Sequence, residues 1–337
     1  MAVPIWKDHF TNLGAVASQY FRIRVSSTTV YQGKAVRAAS SGNLYIRIND
    51  ICADYMAQKV PVLNPSSAAA AMFPVSFTIQ KSSNGSSWTT VETVDFNDDW
   101  SFDNSFDPST MGMSFPITGR IDLRQKIVQT RYSSSSVTAT SRYGTTTRTE
   151  SLTPLTSTDF SAFYNALSAA GKGRVEYWVN THATYSGKTL TQVTIGATTY
   201  TVTNGCPRFC LYYKNPFGGY DHLLLEGAVT LKRSNVRDTF KADYNNGLGM
   251  REEWVFQNEN TQTYEVNTGF LTEDESGRMP YLLDSPDVYL CDLQNASVFI
   301  PAVIATDSYS FQTLNRLGMK MMNHTFEIRI AQNKYRR

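Results

Sequence analysis

Apolar and polar residues alternate along much of the chain with the two-residue period of β-strands. Residues 20–25 and 44–48 show this pattern near the N-terminus, and strands are also predicted at 175–179 and at the apolar run 209–213 in the second half. Further predicted strands cover residues 29–33, 77–81, 88–94, 191–195, 199–202, 254–256, 263–266, 288–290 and 325–330. We therefore predict a mainly β protein, built from β-sandwich or barrel-like domains with a few short helices.

Three segments predict tight turns between these strands. Asn84-Gly85 and Gly196-Ala197 each separate two strand patterns, and glycine or asparagine at such places tolerates a positive φ. The third segment, 215–219, begins with Asn-Pro and ends with two glycines among several aromatic residues. It predicts an aromatic-packed corner between two strands.

Helical spacing appears in two places. Asn49 is a favourable N-cap, the apolar residues after it recur with helical spacing, and Pro61 lies beyond the last turn. The second helix is predicted over 157–170, where the apolar residues from Phe160 to Leu167 recur at i, i+3, i+4 and i+7.

Residues 119–152 contain few large apolar side chains and many Ser and Thr. One interpretation is an extended β-hairpin arm that gains its burial on a neighbouring subunit, and the other is a surface hairpin or loop. The chain length suggests about two domains. We place the boundary near Leu152, giving an N-terminal β domain, 1–152, and a mostly β C-terminal domain, 153–337, that opens with the predicted helix.

Charge is scarce in this chain of 337 residues. Charged residues make up 18%, the net charge is +2, and aromatic residues make up 12%. Large assembly interfaces are likewise poor in charge and rich in Tyr and Trp, so the composition favours self-assembly as a homo-oligomer. No basic stripe stands out and the isoelectric point is about 8.2, so we predict no specific nucleic-acid partner.

The compartment follows from what the sequence lacks. No basic segment followed by an apolar one opens the chain, and no run of 18 apolar residues occurs, so we expect neither a secretory signal nor a membrane segment. Four cysteines are too few for a disulfide framework in a chain of this length: Cys52, Cys206, Cys210 and Cys291. We expect synthesis in a reducing host cytoplasm with free thiols.

No catalytic, cofactor or metal motif stands out, so we predict a protein that is not an enzyme and has no cofactor. Cys206 and Cys210 with His222 would supply three soft ligands, but a structural zinc site usually takes four. The alternative is a pair of small residues flanking the start of a strand. The acidic stretch 95–107 offers oxygen ligands for calcium, or it is a loop whose Asp and Asn residues cap turns.

Adjacent acids occur at Glu252-Glu253 and again at Glu273-Asp274-Glu275. A glycosidase needs two carboxylates on facing walls of a cleft, and sequence alone cannot place these. The other interpretation is that they are solvated. The basic end of the chain, 333–337, is either a solvated tail or a contact for an acidic partner.

Three stretches resemble virion proteins of tailed phages that infect Bacteroidetes, including crAss-like phages. The first comprises Ile5-Trp6-Lys7-Asp8-His9-Phe10, 30–35 and 46–55; the second is Leu211-Tyr212-Tyr213-Lys214-Asn215-Pro216-Phe217 with the residues to 227; the third comprises 285–290, 300–303 and 326–335. The resemblance covers patches spread over most of the chain, and no catalytic residue comes with it.

The resemblance implies a structural subunit of a bacteriophage virion, located in the tail, that forms a ring or hub and contacts other tail or portal-proximal proteins. A receptor- or glycan-binding tail-tip protein is the alternative, and a glycan hydrolase is a third hypothesis. Six residues are the candidate interface: Tyr132, Val137, Tyr143, Phe217, Tyr220 and Tyr335.

Overall fold

The protein is mainly β, as the alternation predicts. The computed structural model describes residues 3–4, 8–37, 42–59, 75–97, 114–132, 136–152, 160–165, 174–241, 253–295, 298–306 and 322–330. Within them, strands form three larger sheets and several smaller ones, and each large sheet buries one or both of its faces.

The N-terminal unit joins a five-stranded sheet, a two-stranded ribbon and a helix around one apolar core. Its elements are β1 (Val3–Pro4), β2 (Phe10–Gly14), β3 (Ser18–Val25), β4 (Thr28–Val36), β5 (Leu44–Arg47), α1 (Asn49–Lys59), β6 (Val75–Ser82) and β7 (Thr89–Asn97). The sheet has the order β1-β7-β6-β3-β4, and β2 pairs with β5. The helix predicted at Asn49 and the turn predicted at Asn84-Gly85 are both confirmed. The helix begins at Asn49, and Gly85 adopts a φ of +78° in the β6–β7 turn.

Two sheets follow in the middle of the chain. Their elements are β8 (Arg120–Ile121), β9 (Lys126–Tyr132), β10 (Val137–Tyr143), β11 (Thr146–Leu152), β12 (Phe160–Asn165), β13 (Arg174–Asn180), β14 (Thr184–Tyr185), β15 (Lys188–Thr189), β16 (Gln192–Ile195) and β17 (Thr198–Val202). The outer sheet has the order β11-β10-β16-β17-β8, and the middle sheet has the order β12-β13-β9. The predicted β16–β17 turn is confirmed, with Gly196 at a φ of +58°.

The C-terminal sheet has seven strands in the order β19-β18-β22-β23-β24-β21-β20. Its elements are β18 (Phe209–Lys214), β19 (Tyr220–Leu225), β20 (Val229–Lys241), β21 (Glu253–Asn267), α2 (Glu273–Ser276), α3 (Met279–Leu283), β22 (Val288–Asp292), a 3-10 turn (Leu293–Asn295), β23 (Phe299–Ile304) and β24 (Thr325–Ile330). One face packs with Leu282 of α3 into the main C-terminal core.

The middle sheet lies between the outer and C-terminal sheets and is buried on both faces. In β9, Ile127 belongs to the core shared with the outer sheet, and Val128 belongs to the core shared with the C-terminal sheet. In β13, Tyr177 belongs to the core shared with the outer sheet and Trp178 to the core shared with the C-terminal sheet. Successive side chains of a strand point to opposite faces, so this division is expected. The Trp178 ring lies 5.4 Å from that of Tyr212, so the layers are held together by aromatic packing.

Within the described residues 119–132 and 136–152, this segment forms the four strands β8 to β11. β10 and β11 form a hairpin at the edge of the outer sheet, and β10 also pairs with β16 in its interior. Val137, Ala139 and Tyr143 of β10 are buried, whereas Thr138 faces outward. The hairpin is therefore part of the outer sheet rather than a separate extended arm.

The helix predicted at 157–170 is wrong where the structure describes it. Residues 160–165 form β12, which pairs along its whole length with β13, from Phe160↔Val179 to Asn165↔Arg174. Aromatic residues favour strands, and pairing with a neighbouring strand overrides a local helical spacing. The remainder of the predicted helix lies outside the described residues.

The boundary predicted near Leu152 does not follow the sheets. Strands on both sides of it, β10 and β16, share the outer sheet, and β9 and β13 share the middle sheet. The described contacts instead group residues 8–97 around one core and residues 117–330 around the cores of the three stacked sheets.

Candidate assembly interface

In the described part of the chain, the β20–β21 hairpin extends well beyond β24, the strand that pairs with its base. The two strands pair from Val229↔Val266 to Lys241↔Glu253, but β24 pairs with β21 only at residues 263–267. Residues 253–262 therefore have β20 as their single strand partner within the described residues. Ten residues at the strand rise of ~3.4 Å span ~30 Å. We call residues 233–241 and 253–262 the projecting hairpin.

The base of this hairpin is fixed to the C-terminal core. Val266 is fully buried, and the ring of Tyr264 packs edge-on against that of Phe209 at 5.8 Å. Lys232 forms ion pairs with Glu265 and, at 2.9 Å, with Glu327 of β24. These carboxylates raise the pKa of Lys232 to about 12. The projecting hairpin therefore has a fixed origin and direction.

The part of the hairpin nearest the sheet is polar. Residues 257–262 read Gln, Asn, Glu, Asn, Thr and Gln, and residues 231–235 of the opposite strand are exposed. A two-stranded hairpin with no further strand beside it is marginally stable in water. Its two edges also carry backbone groups that can pair with another strand. The arrangement is therefore suited to strand pairing with a partner.

The corner between β18 and β19 has the form that the sequence predicts. Asn215 Oδ1 accepts hydrogen bonds at 3.0 Å from the backbone N–H groups of Phe217 and Gly219, and Gly218 adopts a φ of +83°. The backbone N–H of Tyr220 donates to a threonine of β9 at 3.0 Å. The corner thus fastens the C-terminal sheet to the middle sheet.

A buried carboxylate lies beside this corner. Asp221 Oδ2 accepts hydrogen bonds from Asn215 Nδ2 at 2.7 Å and from the backbone N–H of Phe115 at 2.9 Å. Burial raises the pKa of Asp221 to about 7, although these bonds and the Arg278 charge act in the opposite direction. The side chain ties the segment before β8 to the C-terminal sheet.

The next residue, His222, is buried between the layers. Its ring centroid lies 5.5 Å from that of Tyr200 in the outer sheet and 6.2 Å from that of Tyr212. Neither ring nitrogen has a hydrogen-bond partner in the part of the chain that the structure describes. Burial lowers the pKa of His222 to about 4, so the ring is neutral at pH 7.

The six residues of the predicted interface lie in different environments. Val137, Tyr143 and Tyr220 are buried within the chain, so in this conformation their side chains contribute to packing rather than to an exposed surface. Phe217 is half-buried, and its ring lies 4.6 Å from that of Phe115. Tyr132 ends β9, where the backbone pairs with β13, and Tyr335 lies outside the described residues. Contact of any of them with a neighbouring subunit stays a prediction.

The candidate ligand sets are not brought together. Cys206 is exposed whereas Cys210 is buried in the core between the layers, and no group of three metal-ligating residues occurs among the described residues. Most of the acidic stretch 95–107 lies outside them. Glu275 belongs to a capping box with Thr272 at the start of α2, which gives that acidic run a local structural role.

A cleft of about 300 Å³ lies at the foot of the hairpin, lined by Cys206, Arg208 and Glu226 among others. Its charged groups are already engaged. Arg208 is paired with Asp292 at 3.1 Å, and Glu226 accepts from Arg120 and from a threonine hydroxyl. The cleft therefore lacks the convergent free polar groups that a small-molecule site uses.

No protein-family model, curated protein or solved structure matches this chain. Among the described residues, none of the helices has the length and apolar character needed to cross a bilayer. The projecting hairpin is thus the feature that the geometry singles out for a function. The sequence predicts strands at 254–256 and 263–266, inside β21, but none in β20, so it does not predict the hairpin as a whole.

Proposed function

We propose that the chain is a structural subunit of a bacteriophage virion, a ring- or hub-forming tail protein that assembles with itself and with neighbouring tail or portal-proximal proteins. The observation that carries this proposal is the projecting hairpin, which in the described residues continues past β24 with no third strand beside it. Such a segment becomes most stable when another chain supplies further strands beside it.

The rest of the molecule supports the same role. Polar and aromatic contacts join the middle sheet to the C-terminal sheet, and a shared apolar core joins it to the outer sheet. A packed body with one extended element can present that element to a neighbour. In a ring, each subunit uses one surface toward one neighbour and a different surface toward the other.

The link to phage particles rests on the resemblance of the three stretches described above. It is tested by the composition of particles. Mass spectrometry of virions purified from the phage that encodes the chain should detect it in many copies, and gold-labelled antibodies should mark the tail. Absence of the chain from purified particles would overturn the proposal.

Assembly can be tested with recombinant protein. In a shortened variant, residues 235–260 are replaced by an Asn-Gly turn that joins Ser234 to Thr261, which are paired in the hairpin. The wild-type chain should form closed rings by cryo-electron microscopy, and the shortened chain should remain folded but monomeric. A trimer that binds host-surface glycan would instead favour the receptor-binding alternative.

A further inference from the structure

We propose that the projecting hairpins of neighbouring copies pair edge to edge, with β20 of one copy hydrogen-bonded to β21 of the next, in one continuous antiparallel sheet. This inference rests on the proposed ring-forming function and names the partner and the surface. It uses only residues 233–241 and 253–262, whose strand pairing the structure defines.

Both edges needed for this pairing are free in the described part of the chain. β20 is the last strand of the C-terminal sheet, and its single strand partner there is β21. On the other side, β24 covers β21 only at residues 263–267, which leaves the edge of 253–262 open. The hairpin therefore offers two open edges at the same distance from the core.

The strand directions suit copies that point the same way. β20 and β21 run antiparallel within one hairpin. When identical hairpins stand side by side in one orientation, β20 of each copy lies antiparallel to β21 of the next. The contact is then heterologous, and a rotation axis along the hairpins closes it into a ring of up-and-down strands.

The charges select this arrangement over its alternatives. In the projecting hairpin, 233–241 contains three basic residues and one acidic residue, whereas 253–262 contains two acidic residues and no basic residue. Pairing β20 with a second β20 would oppose basic residues, and cross-strand pairs of like charge are destabilising. Pairing β20 with β21 of the next copy brings opposite charges together, so the occupant that fits each edge is a second copy of this chain.

The composition indicates what kind of contact this is. Residues 257–262 contain no apolar side chain, so backbone hydrogen bonds and charge pairing must supply the contact in that stretch. Nearer the tip, Val236, Phe240 and residues 254–256 add apolar side chains. The paired strands should therefore combine charge complementarity with burial of these apolar residues.

A pair of charge-reversal variants tests the proposal. The acidic-edge variant, R237E/K241E, gives both strands acidic character, and the basic-edge variant, E253K/E259K, removes the acidic residues of 253–262. Arg142→Glu with Arg329→Glu is the matched control for the first, since it makes the same charge change at exposed positions on β10 and β24. Circular dichroism checks that each variant is folded.

Each edge variant alone should associate at least about tenfold more weakly than the wild-type chain in sedimentation or native mass spectrometry, because two charges on one edge of each contact change sign. An equimolar mixture should recover association, because each variant's β20 then meets an oppositely charged β21. The matched control should associate like the wild-type chain.

Three results would overturn the inference: edge variants that assemble normally, a mixture that fails to recover association, or a wild-type chain that stays monomeric at its highest soluble concentration. The composition of purified particles decides the virion role independently. A chain present in virions whose edge variants still assemble would therefore refute the hairpin pairing and leave the proposed function intact.

Discussion

Asp221 and His222 are adjacent buried groups whose ionisation should affect stability with opposite signs. Burial raises the pKa of Asp221 from 3.8 to about 7 and lowers the pKa of His222 from 6.5 to about 4. The folded state therefore favours the protonated carboxyl at one residue and the neutral imidazole at the other. We predict that replacing either residue reveals the pH dependence that the other one produces.

The magnitudes follow from linkage between proton binding and folding. The contribution of Asp221 to the free energy of unfolding is fully present below pH 3.8. It declines by about 4 kcal/mol as the pH rises to about 7. The contribution of His222 to the same free energy is fully present above pH 6.5, and it declines by about 3 kcal/mol as the pH falls to about 4. Between pH 4 and 6.5 the two slopes nearly cancel in the wild-type chain.

Asp221→Asn should therefore yield a free energy of unfolding that rises with pH between 4 and 6.5, relative to wild type. His222→Phe keeps the aromatic contacts, and its free energy of unfolding relative to wild type should fall with pH over the same interval. Urea titrations at half-unit pH steps measure both slopes, and a uniform loss of stability in either variant leaves its slope interpretable. Profiles parallel to that of the wild type would refute the assigned pKa shifts.

Three further predictions concern the layers and the hairpin. Trp178→Ala should lower the free energy of unfolding by about 3–5 kcal/mol in urea titration, because its ring fills the core between two sheets; a loss below about 1 kcal/mol would contradict that packing. Arg120→Met should lower the melting temperature more than Arg208→Met does, because the Arg120–Glu226 ion pair is less exposed than the Arg208–Asp292 ion pair. Equal losses of melting temperature would contradict this reasoning. Amides of 253–262 should exchange rapidly in the monomer and slowly in the assembly, and protection already complete in the monomer would argue against a partner-dependent hairpin.

The sequence predicts elements well where local chemistry decides them. The helix at Asn49 and the turns at Gly85 and Gly196 depend on capping and on positive φ, and both are properties of a few neighbouring residues. Residues 160–165 depend instead on pairing with β13, whose paired residues lie 9 to 19 positions further along the chain, so a helical spacing of aromatics is misleading there. Local patterns do not report which strand lies alongside.

The same limit explains the misplaced arm. In 119–152, small residues such as Ala139 fill the core, so a low content of large apolar residues did not mean exposure. Of the β20–β21 hairpin, the sequence predicts only 254–256 and 263–266 as strands, because the polar run 257–262 separates them. The longest hairpin of the described residues is formed by β20 and β21 rather than by the segment that composition suggested.

Low overall charge first suggested an aromatic assembly surface, but the distribution of charge points elsewhere. β20 and β21 carry eight charged residues in 28 positions, a larger share than the 18% of the whole chain. Many of the aromatic residues instead lie in the cores between the sheets. Charge is therefore concentrated on the one element that leaves its own sheet, and it is separated by sign between the two strands. An interface of this kind is screened by salt, so assembly through the hairpin should weaken as ionic strength rises, whereas assembly through an apolar surface would not.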